Sequence, residues 1–514
     1  MIGLLLLAGT QSVPMGLQLW PENDRAARLA RDVAIVQAVD TDRLAGWHEL
    51  VAAAPHPAGS EGDEAVIAAM ASAFEELGLE VEIHRFRAYL SSPVDASLSL
   101  VSPRETELSL REGVLPGSPY SELEDADLRL GWNAYSGSGD VTAEVVYANY
   151  GRREDFETLA ERGVDCSGKI VVARYGGNFR GYKAKYAEAA GAAGLVIYTD
   201  PADAGYGRGL ETPEGGWANC DQIQRGSLKT LPWQGDPLTP GIEATADAER
   251  LDPDEIALPT IPVQPVGWQA AMQILAPMQG ESVPQGWQGG LPFRYRIEGG
   301  PDVRVRLRVE QERRFVETAN VLGTLPGTET PKGAPGIVLG AHHDAWVYGA
   351  NDPTSGTICV METARVLADL LAKNGERPRR SITFAGWGAE EHGIIGSTEW
   401  VEGRRAALIE SADLYVNLDA SAAGLDIGVS ASPSLTTLFA GAAARATPRI
   451  IASVAGVTTP TVKRWRAKLS AAKQADTSLI KAIGDAILHV REEMDRGHTM
   501  RRRTLMKQRQ AART

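Results

Sequence analysis

The sequence predicts an α/β protein whose sheet carries helices on both faces and whose main domain is split by a β-rich insertion. Between residues 317 and 430, short apolar strands alternate with amphipathic helices, which is typical of a largely parallel sheet. A block of helices followed by a strand also lies between residues 23 and 90. The stretch between these blocks is richer in Pro, Gly and turns. We therefore predict one domain in two parts with a second domain inserted between them.

The first part of the split domain is predicted to cover residues 23–93. Its segment DEAVIAAMASAFEELGLEVEIHRFRAYL has apolar residues spaced by three and four, then Gly78, then alternating apolar residues. This pattern predicts a helix that ends at the glycine and a strand after it. Residues 1–22 begin with MIGLLLLAGTQS, which is either a residual signal-like segment or a plain apolar or disordered tail. The signal-like reading predicts a secreted or otherwise extracytoplasmic protein.

The insertion is predicted to cover residues 94–316. Within it, GKIVVARYG predicts a strand, YKAKYAEAAGAAG a helix and LVIYTD a second strand, which together make a βαβ unit. The second part of the split domain, residues 317–448, contains the strands GIVLGA, RSITFAGW and ADLYVNLDA. The helical segments SGTICVMETARVLADLLAK and GSTEWVEGRRAALIE alternate with them.

Composition and charge limit the possible functions. No apolar run reaches roughly 18 residues, so no transmembrane helix is expected. The three cysteines are too scattered for a disulfide scaffold or a CxxC zinc site, so a metal here would need His and carboxylate ligands. The formal net charge of −14 argues against nucleic-acid binding by the main body.

Polar residues cluster where the predicted strands end. His342 and Asp344 follow GIVLGA, Glu390 and Glu391 follow RSITFAGW, and Asp419 follows the third strand. Asp352 lies on a loop just before a helix. Ligands gather at the carboxyl ends of parallel strands, so these side chains are expected to converge. One His with several carboxylates suits hydrolytic zinc, and an unligated glutamate could act as general base.

Three stretches that carry these residues, GAHHDAWVYGANDPTSG, AGWGAEEHGIIGSTEW and YVNLDASAAG, resemble the catalytic blocks of a known family. It is the glutamate carboxypeptidase II branch of the co-catalytic zinc peptidases, which is related to the transferrin receptor ectodomain. The resemblance runs from about residue 23 to about residue 440 and includes segments of the inserted protease-associated, or apical, domain. It implies a zinc-exopeptidase sheet and a zinc metallopeptidase that cleaves short peptides as an exopeptidase, carboxypeptidase or dipeptidase.

The resemblance also implies residue roles. His342 and Asp419 would bind the first zinc, Asp352 would bridge two zincs, Glu391 would bind the second, and Glu390 would be the general base. His343 would not be a ligand.

Further roles are implied around the ligands and in the apical domain. Asp344 would fix the tautomer of His342 by accepting its other ring proton. Arg180 would reach a substrate carboxylate, and Asn219 takes an approximate family position in substrate binding. A structural Ca²⁺ site would be formed by Thr239, Ile242, Glu399 and Glu402.

The C-terminal part departs from the family pattern. The family's last zinc-binding histidine and its dimerisation domain have no recognisable counterpart after residue 448, and neither His489 nor His498 has the expected surroundings. We therefore expect one well-bound zinc instead of two, impaired turnover, and no dimerisation through that domain.

Residues 449–514 form a basic tail, with 15 Lys and Arg against 5 Asp and Glu. Its segment IASVAGVTTPTVKRWRAKL is similar to part of a helix-turn-helix. Two alternatives to the peptidase stay open: a non-catalytic binding protein of the transferrin-receptor type, and a fusion with a DNA-binding tail.

Overall fold

The computed structural model describes residues 21–115, 126–331, 334–421, 430–435, 438–439 and 442. Residues Asp40–Ala423 form one unit, which contains the sheet and the candidate site. Residues Met1–Val39 and Gly424–Thr514 form the other, and its described part includes one helix and a 3-10 turn at Pro433–Leu435. Within the described residues, every helix is too short or too polar to span a bilayer.

Helices and strands alternate through most of the described chain. The helices are α1 (Glu22–Ala38), α2 (Thr41–Val51), α3 (Glu61–Glu76), α4 (Arg153–Glu161), α5 (Arg180–Ala189), α6 (Pro201–Ala204), α7 (Trp268–Leu275), α8 (Thr354–Asn374), α9 (Ile395–Gly403) and α10 (Arg405–Ser411). The strands are β1 (Glu80–Ser102), β2 (Thr106–Glu107), β3 (Asn133–Ala134), β4 (Gly139–Tyr147), β5 (Ile170–Arg174), β6 (Gly194–Tyr198), β7 (Gly226–Ser227), β8 (Val263–Val266), β9 (Arg304–Leu325), β10 (Ile337–His342), β11 (Ile382–Trp387) and β12 (Leu414–Asn417).

The predicted local elements are present. The helix expected before Gly78 is α3, and Ser60 caps its start by accepting a hydrogen bond from the Asp63 amide at 3.2 Å. The alternating segment after Gly78 is β1. In the insertion, β5, α5 and β6 form the predicted βαβ unit, with β5 and β6 parallel. The segment GSTEWVEGRRAALIE forms two helices, α9 and α10, which meet at Arg404.

Ten described strands form one sheet that runs through both domains. The order is β12-β10-β11-β9-β4-β5-β6-β8, and β1 pairs with β9 along almost its whole length. Strands β10, β11 and β12 are mutually parallel, as are β4, β5, β6 and β8. Strand β9 is antiparallel to β1, β4 and β11. The long ladder of β1 and β9 therefore joins two blocks of parallel strands.

The predicted domain boundaries at 93/94 and 316/317 fall inside β1 and β9, which continue from one domain to the other. The hydrophobic cores change near those points. On β1, Leu90 belongs to a small cluster with Val316, whereas Leu98 belongs to the core of the insertion. On β9, Val309 belongs to the core of the insertion, and Val321 to that of the split domain. The two domains thus have separate cores but share two strands.

Helices cover both faces of the sheet in the split domain, which confirms the predicted fold class. On one face, Val51 of α2, Phe74 of α3 and Val360 of α8 pack with Val321 and Phe384. On the other face, α9 and α10 pack against side chains of β9, β10 and β11 that point the opposite way. These side chains are Leu322, Val338, Ala385 and Trp387. This alternation follows from the two-residue period of a strand.

Candidate metal centre

Three of the predicted ligands meet at one edge of the sheet. His342 ends β10, Asp419 lies just beyond β12, and Asp352 lies in the loop before α8. Strands β10 and β12 are parallel neighbours, with Gly340 beside Asn417, so the residues that follow them emerge side by side. The His342 Nε2 atom lies 3.1 Å from Asp352 Oδ1 and 3.2 Å from Asp419 Oδ1. Within the described residues, these three donors form a metal-type group whose ligand atoms lie within 4.8 Å of one another.

The orientation of the His342 ring suits metal binding. Its Nδ1 atom lies 2.9 Å from the backbone carbonyl of Asp344. A carbonyl only accepts hydrogen bonds, so Nδ1 carries a proton and Nε2 faces the two carboxylates. Asp344 therefore accepts a hydrogen bond from the ring through its main-chain carbonyl. Its carboxylate lies 3.6 Å from Nδ1, too far for a hydrogen bond, and acts on the ring by charge.

The carboxylate of Asp344 instead positions the turn after β11. It accepts the backbone N–H of Glu390 at 2.8 Å and that of Glu391 at 3.3 Å. The preceding Ala389 has a left-handed φ of 54°, which an alanine rarely adopts. One buried carboxylate thus links the His342 strand end to the two glutamates.

The electrostatics of the site follow from burial and charge. Burial works to lower the pKa of His342, but the carboxylates of Asp344, Asp352 and Asp419 raise that pKa well above its usual range. The same contacts lower the pKa of Asp419, chiefly through His342. The His342 side chain is 3% exposed, whereas Asp352 and Asp419 are 59% and 51% exposed. The imidazole is thus enclosed, while the two carboxylates open toward solvent.

Glu390 and Glu391 are more recessed than Asp352 and Asp419. Burial raises the pKa of Glu390 to about 7, with His342 opposing the rise and Asp344 adding to it. Burial likewise raises the pKa of Glu391 well above its usual range. A carboxyl group with a pKa near 7 suits reversible proton transfer at neutral pH. Glu391 is not part of the group formed by His342, Asp352 and Asp419 in the described structure.

The donor set fits zinc. One imidazole nitrogen and two carboxylate oxygens converge, the imidazole is held by a hydrogen bond from its other nitrogen, and the carboxylates leave an open side. Zinc sites of hydrolases commonly have three protein ligands of this kind and one open position. The bond from the second ring nitrogen is also a regular feature of metal-binding histidines.

The His343 side chain contacts Asp63 and Ala319 and lies outside the group formed by His342, Asp352 and Asp419. Its Nδ1 atom lies 3.1 Å from Asp63 Oδ1, and its Nε2 donates to the Ala319 carbonyl at 3.0 Å. Asp63 also accepts from Thr318 Oγ1 at 2.6 Å and from the Gly59 amide at 2.7 Å. Asp63 was not singled out in the sequence. No sequence signal indicated it, because the need for a buried partner follows only from the full burial of His343 in the structure.

The two predicted substrate residues differ in how they are held. The Arg180 guanidinium packs on Gly226, where a Cβ would lie 2.2 Å from its Cζ atom, and its buried Nε has no hydrogen-bond partner. Next to Gly226, Ser227 donates to the carbonyl of His392, which follows Glu391, at 3.0 Å. In contrast, the side-chain oxygen of Asn219 accepts two nearby backbone N–H groups, at 3.1 and 2.9 Å. Asn219 is therefore engaged in a local turn.

The predicted calcium residues lie at the junction between the insertion and α9. Glu399 is fully buried and accepts the backbone N–H groups of Asp236 at 2.7 Å and Ala244 at 2.6 Å. Glu402 accepts the amide of Gly241 at 2.9 Å, and its other oxygen is buried without a partner. Burial raises the pKa of Glu399 to about 8. Within the same loop, the amide of Ile242 donates to the Thr239 carbonyl at 3.3 Å.

Some predictions concern residues outside the described ranges. They are residues 1–20 of the signal-like segment 1–22, and the tail 449–514 with His489, His498 and the similarity to a helix-turn-helix.

Comparisons with known proteins agree with this architecture. The model of peptidase family M28 matches residues 320–489, and the PA domain model matches residues 141–229. The M28 match thus continues beyond residue 448, where the resemblance was expected to end. The "Glutamate carboxypeptidase 2 homolog" of Caenorhabditis briggsae is 36% identical over 399 residues, which are 74% of this chain and 51% of that protein. "Aminopeptidase NAALADL1" of Mus musculus is 36% identical over 414 residues, which are 76% of this chain and 55% of that protein.

The chain therefore spans about half the length of the curated relatives it matches. Among solved structures, the "Aminopeptidase from Aneurinibacillus sp. strain AM-1" aligns with 76% of this chain and 72% of its own, at 21% identity and a TM-score of 0.45. The fold and the donor group resemble those of the metallopeptidase class. More specifically, residues 320–489 match peptidase family M28, and the PA domain match lies within the insertion.

Proposed function

We propose that this chain carries the catalytic machinery of a zinc-dependent exopeptidase that hydrolyses peptide bonds in short peptides. The observation that carries the proposal is the convergence of His342, Asp352 and Asp419, at 3.1 and 3.2 Å, beside the turn that presents Glu390. The names of its relatives are those of peptidases, which favours a hydrolase over a transferrin-receptor-like binding protein or a DNA-binding fusion.

In this proposal, His342, Asp352 and Asp419 would hold the zinc. When bound, zinc supplies Lewis-acid chemistry, because it acidifies water and polarises a carbonyl. Glu390 takes the proton of the attacking water on a carboxylate oxygen and passes it to the leaving amine. The raised pKa of Glu390 suits both transfers, and the hydrogen bond from its amide to Asp344 keeps it in place.

The proposed metal content is one tightly held zinc per chain. Within the described residues, the first position has an imidazole and two carboxylates, whereas a second zinc would be offered only the carboxylates of Glu391 and Asp352. Two carboxylates without an imidazole make a weak zinc site. A second zinc would therefore bind mainly at high metal concentration.

The proposed substrate contact is made by Arg180. Its unpartnered Nε and its link to the glutamate turn through Gly226 and Ser227 support a role in binding a carboxylate near the site. Asn219 is a weaker candidate, since its oxygen is already used. The relatives' names point to both ends of a peptide, so substrates with a free amino end and with a free carboxyl end both need testing.

A structural Ca²⁺ at the junction of the insertion and α9 is part of the proposal. Its ligands would be Glu399, Glu402, Thr239 and the backbone carbonyl of Ile242. The unpartnered oxygen of Glu402 supports it, as do the hard oxygen donors.

The test of the proposed activity is the substitution Glu390→Gln. The substrates are a panel of dipeptides and acylated dipeptides. We expect the variant to keep the zinc content of the wild type and to lose about 10²–10⁴-fold in kcat, the usual size of a general-base contribution. Metal content by elemental analysis and hydrolysis rates are measured on the same preparation. Hydrolysis by the variant at the wild-type rate would remove Glu390 from the role.

A further inference from the structure

The loop of residues 345–352 carries the proposed ligand Asp352 from β10 to α8, and its last residues are tied to the start of α8. The amide of Thr354 donates to the Gly349 carbonyl at 3.0 Å, and Ser355 Oγ donates to the Asn351 carbonyl at 2.7 Å. We call residues 345–352 the Asp352 loop.

The other side of the Asp352 loop is bound by the first part of the split domain. The amide of His56 donates to the Val347 carbonyl at 3.0 Å, and the amide of Ala345 donates to the His56 carbonyl at 3.1 Å. Gly349 has a φ of 55°, and a Cβ there would lie 2.5 Å from the Ala345 Cβ and 3.1 Å from His56 Nε2. The loop is therefore closely packed against the segment between α2 and α3.

One side chain from α2 reaches further along the loop. His48 Nε2 lies 2.6 Å from the carbonyl of Ala350, two residues before Asp352. Because a carbonyl only accepts, His48 is the donor. The start of α2 is itself held against α8, since the amide of Asp40 donates to Glu362 Oε1 at 2.8 Å. His48 thus projects from a helix that is fixed to α8, the element that follows Asp352.

We propose that His48 is a positioning residue for Asp352: its hydrogen bond to Ala350 holds the last turn of the Asp352 loop in the conformation that directs the carboxylate toward His342. The proposal rests on the proposed function, in which Asp352 is a zinc ligand. His48 contacts neither zinc nor substrate in this view. Instead, His48 raises the fraction of folded molecules in which the Asp352 carboxylate is oriented to bind zinc.

The test measures zinc affinity of the folded full chain by competition with a chromophoric chelator. The variants are His48→Ala, His48→Gln, Asp352→Ala and, as a control on the same helix, the exposed Glu49→Ala. We expect His48→Ala to weaken zinc binding about three- to tenfold. Loss of a direct hydrogen-bond partner of a metal ligand typically weakens binding about 10–100-fold, and His48 acts less directly, through the backbone of the loop. His48→Gln should bind nearly as the wild type does, because its amide can donate to the same carbonyl. Glu49→Ala should be unchanged.

Thermal unfolding of the metal-free variants separates positioning from a merely structural role. A structural role would lower the unfolding temperature of His48→Ala while leaving the zinc affinity of the folded fraction unchanged, and that result would overturn the proposal. Equal loss of affinity in His48→Ala and His48→Gln would also overturn it. If His48→Ala does not fold, His48→Gln decides the test: zinc affinity equal to that of the wild type supports the proposal, and a loss of zinc affinity overturns it. A wild type that binds no zinc, or an Asp352→Ala variant that binds it normally, would contradict the proposed function itself.

Discussion

The substitution Asp344→Asn tests how the site holds Glu390, the proposed general base. The Asp344 side chain is 1% exposed and accepts two backbone N–H groups, from Glu390 and Glu391. Asparagine has nearly the same shape but only one side-chain oxygen, so one amide keeps an acceptor and the other faces an NH₂ group. The negative charge beside His342 is also lost.

The size of the effect follows from these contacts. A buried N–H left without an acceptor costs about 1–3 kcal/mol, and replacing a charged acceptor by a neutral one weakens the remaining bond by about 1 kcal/mol. We therefore expect Asp344→Asn to lower the free energy of unfolding by about 2–4 kcal/mol. Asp344→Ala leaves both amides without an acceptor and should cost up to about 6 kcal/mol. Zinc affinity should fall about tenfold in Asp344→Asn, at the low end of the effect of a direct partner of a metal-binding histidine, because the main-chain carbonyl that holds the His342 ring is kept and only the carboxylate charge is lost.

The assays are urea unfolding of the metal-free protein and zinc competition on the folded protein. The control is Asp254→Asn, which makes the same change at an exposed position in the insertion. Asp254→Asn should leave both quantities within error of the wild type. If Asp344→Asn matches this control in stability and in zinc affinity, the hydrogen bonds from Glu390 and Glu391 do not hold the site together.

Three further predictions address metal content, the domain junction and the buried partner of His343. Elemental analysis after dialysis should give about one zinc per chain, and a ratio near two without added zinc would contradict the proposed weak second site. The double substitution Glu399→Ala and Glu402→Ala should lower the unfolding temperature without removing zinc. Added Ca²⁺ should raise the unfolding temperature of the wild type only. An equal rise in the wild type and the double variant would exclude a calcium site at Glu399 and Glu402. Asp63→Ala should cost about 3–5 kcal/mol in urea unfolding, since it leaves His343 buried without its counter-charge. Burial works to lower the pKa of His343, but Asp63 raises it above its usual value. The ion pair therefore contributes its full stability below about pH 6.5, and this contribution is lost as the pH rises through the pKa of His343 in the folded protein. A wild-type free energy of unfolding that does not decline over that pH range would refute the ion pair.

The local pattern of the sequence was enough to predict several helices and strands and the strand ends at which the site lies. The spacing of apolar residues predicted α3 and β1, and the change of pattern at Gly78 placed the end of that helix. Strand ends predicted which polar residues would converge, because parallel neighbours such as β10 and β12 release their following residues at the same edge. This rule applied to His342 and Asp419, whereas the ligand role of Asp352, which lies on a loop, was implied by the family resemblance.

Contacts between distant segments could not be predicted in the same way. Asp63 lies on a helix far from His343 in the sequence, and nothing in either local pattern indicates that the two side chains pair. The role of Asp344 depends on backbone groups, because its carbonyl holds His342 while its carboxylate holds the glutamate turn. The continuous ladder of β1 and β9 was also missed, since composition changes at residues 94 and 316 but strand pairing does not.

The pairing of β1 with β9 fixes the two parts of the split domain in one register. The proposed zinc ligands all follow β9, whereas His48, which bonds to the Asp352 loop, and Asp63, which pairs with His343, precede β1. The inserted domain separates these two groups along the chain. Strand β1 pairs with β9 from Glu80 opposite Thr324 to Ser102 opposite Arg304, so the two parts are fixed to each other by a ladder that also enters the insertion. Because pairing is periodic, a slip of one residue would turn every inward side chain of β1 outward, and the buried Phe86, Ala88 and Leu90 oppose such a slip. The geometry of the zinc site therefore depends on a strand pairing that contributes no ligand to it.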